Sequence, residues 1–272
     1  MSGATDKAVI LARGLGTRMR KADAAAGLSR QESAVADSGV KAMIPIGRPF
    51  LDYVLSSLAD AGYRRACLVI GPEHQIVRDY YGKLPTRRIS VEFAIQEKPL
   101  GTADAVLAAE SFAAGEPVLV LNSDNFYPVQ ATAALRALGC SGLAAFQVEG
   151  LLAGGNIPAD RLAKFAVVQA DSAGRLVRII EKPDPATLAT LAQPVCVSMN
   201  CWMFGPAIFR AAGSIKPSPR GELEIPDAVQ YAIDRLGESF RVLPFNLPVL
   251  DLSSRSDIAA VKASLAGMEV NL

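Results

Sequence analysis

The chain has 272 residues, 50% of them hydrophobic and 20% charged, with a formal net charge of +1. This is the balance of a folded globular enzyme and excludes a disordered chain; near-neutrality leaves no broad basic field for nucleic acid, only room for a local basic pocket around one phosphorylated ligand. The opening MSGATDKAVILARG holds a brief apolar stretch between charged residues, and no apolar run approaches membrane-spanning length, so the expectation is a cytoplasmic protein without signal peptide or membrane contact.

In chain order, Lys7–Ala12 is a continuous apolar run, as expected of a strand covered on both faces. Lys21–Gly39 is polar and rich in small residues; it reads as a solvated loop with a weak helix, or as a lid. Pro49–Ala61 spaces Phe50, Val54 and Leu58 four apart, one face of a helix. Ala66–Ile70 is a strand, Glu73–Tyr81 a helix, Ile89–Ile95 a strand, Ala103–Phe112 a helix and Pro117–Leu121 a strand. The second half is more mixed: strands at Ala163–Ala170, Arg175–Glu181 and Val195–Phe204, the first two joined by a turn at Ser172-Ala173-Gly174, and helices at Glu224–Leu236 and Ser256–Leu265. The βαβαβ opening predicts an α/β protein, a Rossmann-like three-layer αβα sandwich around a mainly parallel, mixed sheet. With no repeat and no linker, residues 1–272 read as one domain. Cys67, Cys140, Cys196 and Cys201 each sit in an apolar segment without a CxxC pair and read as buried free thiols. His74, in a helix-start loop, reads as a surface residue.

The first strand runs into Ala12-Arg13-Gly14-Leu15-Gly16-Thr17-Arg18. In such sheets ligands sit beyond the carboxyl ends of strands. Gly14 and Gly16 let backbone N–H groups approach phosphate oxygens, and Arg18 offers a permanently charged fork. A purely structural turn explains the glycines as well. The dinucleotide fingerprint fails for want of its third glycine, which disfavours a dinucleotide-dependent oxidoreductase, and no GK[ST] makes a Walker loop.

LARGLGTRM, followed by Val40-Lys41-Ala42-Met43-Ile44-Pro45, resembles the opening signature of the sugar-1-phosphate nucleotidyltransferases, the glucose-1-phosphate thymidylyltransferases and uridylyltransferases among them. Further matches follow in the family's order: Gln96-Glu97-Lys98-Pro99-Leu100-Gly101-Thr102-Ala103, Val118–Asp124, Glu181-Lys182-Pro183, Asn200 in SMNCWMF, Gly221–Asp227, and Asp251 in Val249–Leu252. The resemblance implies the nucleotide-diphospho-sugar transferase fold, with a nucleotide-binding first half and a sugar-phosphate-binding second half. It implies that Ala12, Gly14, Gly16, Thr17, Arg18, Gln96, Gly101 and Thr102 bind a nucleoside triphosphate, dTTP or UTP by preference. Arg18 and Lys41 would neutralise the triphosphate, Asp124 and Asp251 would bind Mg²⁺, and Glu181, Lys182 and Asn200 would hold the sugar 1-phosphate. Arg18, Lys41, Asp124 and Lys182 form the implied catalytic set, in a homodimer or tetramer.

Simpler roles stay open for single residues: a helix N-cap for Asp124 and for Asp251, an exposed ion pair for Glu181 and Lys182, a solvent-facing strand residue for Gln96. Three departures from the family pattern stand out: Arg13 where a small residue is usual, the long segment between Arg18 and Lys41, and Asn122-Ser123 before Asp124. They leave open a regulatory homologue that binds nucleotide or sugar without turnover. Transfer to an alditol or aminoalkyl phosphate is open as well.

Overall fold

The computed structural model describes residues 4–163, 165–181, 183–184, 186, 188 and 193–272. Lys7–Leu11 (β1), Arg65–Ile70 (β2), Ser90–Ile95 (β3) and Val118–Asn122 (β4) form the parallel half of the sheet in the order β4-β1-β2-β3. Asn125–Phe126 (β5) leaves the sheet. Gly142–Gln147 (β6), Val167–Ala170 (β7), Leu176–Ile180 (β8), Cys196–Phe204 (β9) and Arg241–Phe245 (β10) extend the sheet beyond β4 in the order β10-β6-β9-β4, with the β7–β8 hairpin attached to β9. The strand β9 is antiparallel to both neighbours, so the sheet is mixed as expected. Leu250–Asp251 (β11) pairs antiparallel with β5.

Alternation along the central strands divides the interior in two. Ala8 and Ile10, Ala66, Leu68 and Ile70, Leu119 and Leu121 enter one core; Val9 and Leu11, Cys67 and Val69, Val118 and Val120 enter the other. Each face of the sheet is covered by helices, which makes the three layers and explains why these strands read as unbroken apolar runs. Phe50–Asp60 is buried on almost every side rather than along one stripe. The phenols of Tyr80 and Tyr81 bond the Asp52 carboxylate, and Ser56 Oγ accepts the Asn271 N–H at 3.0 Å, so the next helix and the chain end cover its outer surface.

Several expectations need correction. The expected helix over Ala103–Phe112 is two helices, Thr102–Ala108 and Glu110–Ala113, because the Ala109 backbone leaves the helical region. The strand expected from Ala163 begins at Val167, after a short helix at Ala159–Leu162. Cys67 and Cys201 are buried thiols, but Cys196 is half-buried and Cys140 is exposed in the turn before β6. His74 is not a surface residue: it is buried, and its Nδ1 accepts the Gly71 N–H at 3.1 Å, closing the turn before the helix Gln75–Tyr81. Among the described residues no helix is long and apolar enough to cross a membrane.

Lys21–Gly39 is mostly solvated and carries a helix, as read from the sequence, but it is anchored to the body of the fold. Arg30–Ser38 is a helix with a reciprocal cap: the Glu32 N–H reaches Ser29 Oγ, and Glu32 accepts the Ser29 N–H at 2.7 Å. Ala36 enters the core. Buried Arg255 then staples the segment to the chain's last quarter. Its Nε donates to the Met19 carbonyl at 2.9 Å, and its Nη2 to the Arg20 carbonyl and the Asp37 carboxylate. These carbonyls end the one-turn helix Thr17–Arg20, where no intrahelical donor can reach them.

Arg255→Ala strips those carbonyls of their donor in a buried place. We expect it to lower the unfolding free energy in urea by about 2 kcal/mol. Lys262→Ala removes an exposed partner of Glu32 and should stay within about 0.5 kcal/mol. Burial pushes the His74 imidazole below its ordinary value of 6.5, against the attraction of Glu73. The unfolded chain thus takes up that proton first, and the stability tied to a neutral His74 is lost as pH falls below about 6.5. Thermal midpoints between pH 7.5 and 5 should fall more steeply for the wild-type protein than for His74→Asn.

Candidate active site

Strand order reverses beside β1: the chain proceeds outward through β2 and β3, then returns to place β4 on the other flank. The peptide segments leaving β1 and β4 therefore splay apart and open a crevice between them. A cavity of about 410 Å³ lies there. The glycine turn after β1 forms one wall. Ala12 still bonds β2 through its N–H to the Val69 carbonyl at 2.9 Å, and Gly14 faces open space where a Cβ would be. Gly16 is left-handed, with φ 61, and a Cβ there would collide with the Gly39 carbonyl. Glycine is thus required at Gly16 both for its dihedral and for the approach of the docked 30–38 helix. Thr17 and Arg18 follow on the helical turn that Arg255 holds. Arg18 is exposed on the cavity wall and has no hydrogen bond or ion pair to protein among the described residues.

Opposite lies Asp124, just past β4. Lys41, on the short 3-10 turn Lys41–Met43, meets it with Nζ 2.8 Å from Oδ2. The Asp124 carbonyl accepts the Leu252 N–H at 2.8 Å, which brings β11 behind it. Asp251 is buried there and does not line the cavity. Its Oδ1 accepts from Ser253 Oγ at 2.9 Å and Asn125 Nδ2 at 3.2 Å, and its Oδ2 from Arg161 at 2.8 Å. Arg161 also forks onto Asp257 at 2.9 and 3.1 Å. Burial, then the neighbouring charge of Asp124, raises the Asp251 carboxyl above the ordinary carboxylate range. Neither aspartate is a helix cap: the helix Val129–Ala137 is entered from Pro128, and the helix Asp257–Ser264 from Ser256.

The third wall follows β3. Gln96 is buried, and its Nε2 donates to the Gly101 carbonyl at 3.0 Å and the Asp104 carboxylate at 2.8 Å. Gly101 has φ 122, and a Cβ there would strike the Leu223 carbonyl; Leu100 and Ala103 bond the Leu223 backbone on either side. Thr102 Oγ1 accepts the Ile225 N–H at 3.0 Å. Segment 221–225 is thereby zipped onto this wall. Asn200 enters from β9 with φ 55, at a bulge where Leu143–Ala145 of β6 faces the longer span Trp202–Ser198. Asparagine tolerates this conformation better than most residues, and the bulge turns its side chain to the cavity.

The cavity wall thus gathers Ala12, Gly14, Gly16, Thr17 and Arg18 with Lys41, Gln96, Gly101, Thr102, Asp124 and Asn200. Glu181 does not line it; it is exposed beyond β8, where its charge is felt at Arg220. Lys182 lies outside the described residues. Arg13 lines the cavity too, but its guanidinium is engaged with protein acceptors. Its Nε and Nη2 pair with Glu73 at 3.1 and 3.2 Å, and its Nη1 donates to the Gln96 carbonyl, tying the ends of β1, β2 and β3 together. Arg161, Asn125 and Arg255 do not show in the sequence, because each acts through partners ninety residues or more away; Asp104, eight residues from Gln96, stands just past the matched segment with nothing local to mark its role. Among the described residues no group of three His, Cys, Asp or Glu side chains is placed to hold a metal. The carboxylate residues lining the cavity are Asp124 and Glu222.

A profile of the nucleotidyl transferase family matches residues 7–244. A glucose-1-phosphate thymidylyltransferase of Streptomyces antibioticus is 31% identical over 230 residues, 84% of this chain and 57% of that protein. A UTP–glucose-1-phosphate uridylyltransferase of Haloferax volcanii is 27% identical over 230 residues, 84% of this chain and 83% of that protein. The low-salt glycan biosynthesis nucleotidyltransferase of the same organism is 26% identical, and the chain spans 59% of its length. Among solved structures, a UDP-glucose pyrophosphorylase complexed with UDP-glucose superposes with a TM-score of 0.73 over 97% of this chain and all of that one, at 19% identity, which speaks for the fold alone.

The Asn200 conformation supplies a test of the β9 bulge. Asn200→Val puts a β-branched residue at φ near +55 and should lower unfolding stability by about 2 kcal/mol. Asn200→Gly should remain within about 0.5 kcal/mol of the parent in the same urea titration.

Proposed function

The chain belongs to the nucleotidyl transferase family, and we propose that it transfers a nucleotidyl group from UTP or dTTP to a sugar 1-phosphate, releasing pyrophosphate. The observation that carries this is the make-up of the crevice between β1 and β4: an arginine on a glycine turn, without a partner among the described residues, shares one cavity with a lysine–aspartate pair. Arg18 is a ready fork for phosphate oxygens. Lys41 is held on Asp124 and is free to exchange that carboxylate for a triphosphate oxygen, since both are single-point partners of an ammonium ion.

The reaction needs little else from side chains. An oxygen of the sugar phosphate attacks the α-phosphorus, a new P–O bond forms, and the bond to the β-phosphate oxygen breaks as pyrophosphate departs. The attacking phosphate is already ionised near neutral pH, so no general base is needed; the chain's single histidine is committed to the Gly71 turn. What the protein supplies is charge cancellation and alignment of two anions. Asp124, a hard oxygen donor released when Lys41 turns to phosphate, fits Mg²⁺, which takes one or two carboxylates together with substrate oxygens. When bound there it would neutralise charge at the reacting phosphate. Asp251, with both oxygens already engaged, suits the work of holding Asn125 and the ground behind Asp124. In this reading the first half of the chain holds the nucleotide, while Asn200, Glu181 and Lys182 from the second half hold the sugar phosphate.

Pyrophosphate release from a matrix of nucleoside triphosphates and sugar 1-phosphates with Mg²⁺ tests the proposal. A single productive base–sugar pair is expected. Asp124→Ala should lower its kcat by at least about a thousandfold, and Arg18→Ala should lower kcat/KM for the triphosphate by about a hundredfold. Folded protein that stays silent across the matrix, or turnover indifferent to Asp124→Ala, would sink the proposal.

A further inference from the structure

The amide of Gln96 is fixed by chemistry as well as by packing. Its nitrogen faces two groups that can only accept, the Gly101 carbonyl at 3.0 Å and the Asp104 carboxylate at 2.8 Å. Turning the amide over would set Oε1 against both acceptors, so the orientation is dictated by the partners. Both Nε2 hydrogens are spent. Oε1 has no protein partner among the described residues, and it is not one of the buried polar atoms sealed from contact. On a residue only 4% exposed that lines the crevice, this leaves one polar atom offered to a ligand, and that atom is an acceptor.

Resting on the nucleotidyl-transfer reading above, we infer that Asp104 is a positioning residue for base selection: by locking the Gln96 amide it makes the site demand a ring N–H, as in uracil or thymine, and repel the ring lone pair that cytosine presents at the same place. Asp104 lies in the first turn of the helix Thr102–Ala108, behind Gln96 and outside the main cavity wall, so it acts through the amide and does not itself reach the base. Gly101 alone would leave one hydrogen bond opposing a flip. Asp104 adds a charge-assisted second one, the stronger of the two kinds. Uracil and cytosine have nearly the same shape, so a cavity contour cannot separate them, whereas a buried acceptor that finds no donor can.

The experiment is calorimetric binding of UTP and CTP to the full chain, without acceptor sugar, for the wild type, Asp104→Leu, Asp104→Ala and Asp104→Asn. Wild type should bind UTP at least thirtyfold more tightly than CTP. In Asp104→Leu the ratio should shrink tenfold or more, with CTP binding more tightly than it does to wild type, because the freed amide can now turn its nitrogen to the cytosine ring. Asp104→Ala, which is benign in a helix, should do the same where leucine disturbs folding. Asp104→Asn carries a donor beside its acceptor, so its amide can turn together with that of Gln96, and it should relax the ratio in the same direction as alanine does. A general loosening of the helix would weaken both nucleotides and improve neither. Equal binding of UTP and CTP by wild type, or an unchanged ratio in both the leucine and alanine variants, overturns the inference. Discrimination in binding without pyrophosphate release from any acceptor supports it and removes the transferase reading; turnover with an unchanged ratio does the reverse.

Discussion

Strand β1 has no solvent face. Ala8 and Ile10 pack into one core and Val9 and Leu11 into the other, so its backbone polar groups can be satisfied only by ladders to β2 and β4. Because the chain walks away from β1 on one flank and comes back on the other, the peptide leaving β1 has no neighbour to follow, and it must turn out of the sheet at once. Gly14 and Gly16 make that turn possible. Every polar group of the crevice is then placed by its distance from this point: Arg18 one helical turn on, Asp124 at the end of the partner strand β4, Gln96 at the end of β3.

The charges around the crevice form a graded series. Lys41 holds Asp124 at the cavity; behind it Asn125 links to Asp251, Arg161 bridges Asp251 to Asp257, and Ser253 and Ser254 close the row. The Asp124 carboxylate at the cavity is partly solvated, whereas Asp251 and Asp257 behind it are buried, with hydrogen bonds on their remaining oxygens; Arg161, which bridges them, is about as solvated as Lys41. A buried ion pair stripped of one partner is costly, so this back row resists rearrangement while the front pair can open. Under the proposed transfer, a site meeting a highly charged triphosphate would benefit from that division, because the exchange would fall on the front pair alone.

What could be read from the residues alone follows the same division. The central strands, the glycine turn and the segment around Gln96 are local patterns: continuous apolar runs, paired glycines, a polar residue at a strand end. They were legible because burial on both faces and tight turns leave direct marks in sequence. Arg161 and Arg255 were not, because a cation placed by carboxylates about ninety residues or more away leaves no periodic trace. His74 was misread for a related reason. Its burial comes from a turn that folds the imidazole back onto Gly71, and nothing in Gly71-Pro72-Glu73-His74 distinguishes that from an exposed loop. The way Lys21–Gly39 is held leaves no such mark, because its few apolar side chains look unable to fill a core. Its anchoring is mostly polar, through Glu32, Asp37 and the close approach of Gly39 to Gly16.

Arg13 and the long segment, two of the three departures from the family pattern, are mutually compatible with an open glycine turn. A large side chain directly before Gly14 would obstruct the crevice if it pointed inward. Here Glu73 and the Gln96 carbonyl supply three acceptors, enough to engage the guanidinium of Arg13 at the edge of the cavity. The same contact braces the ends of β1, β2 and β3 from outside, while Arg255 braces the Thr17–Arg20 turn from the other end through the inserted helix. The turn is thus gripped on both flanks by arginines engaged with protein acceptors, Arg13 and Arg255, while Arg18 between them has no ion pair among the described residues.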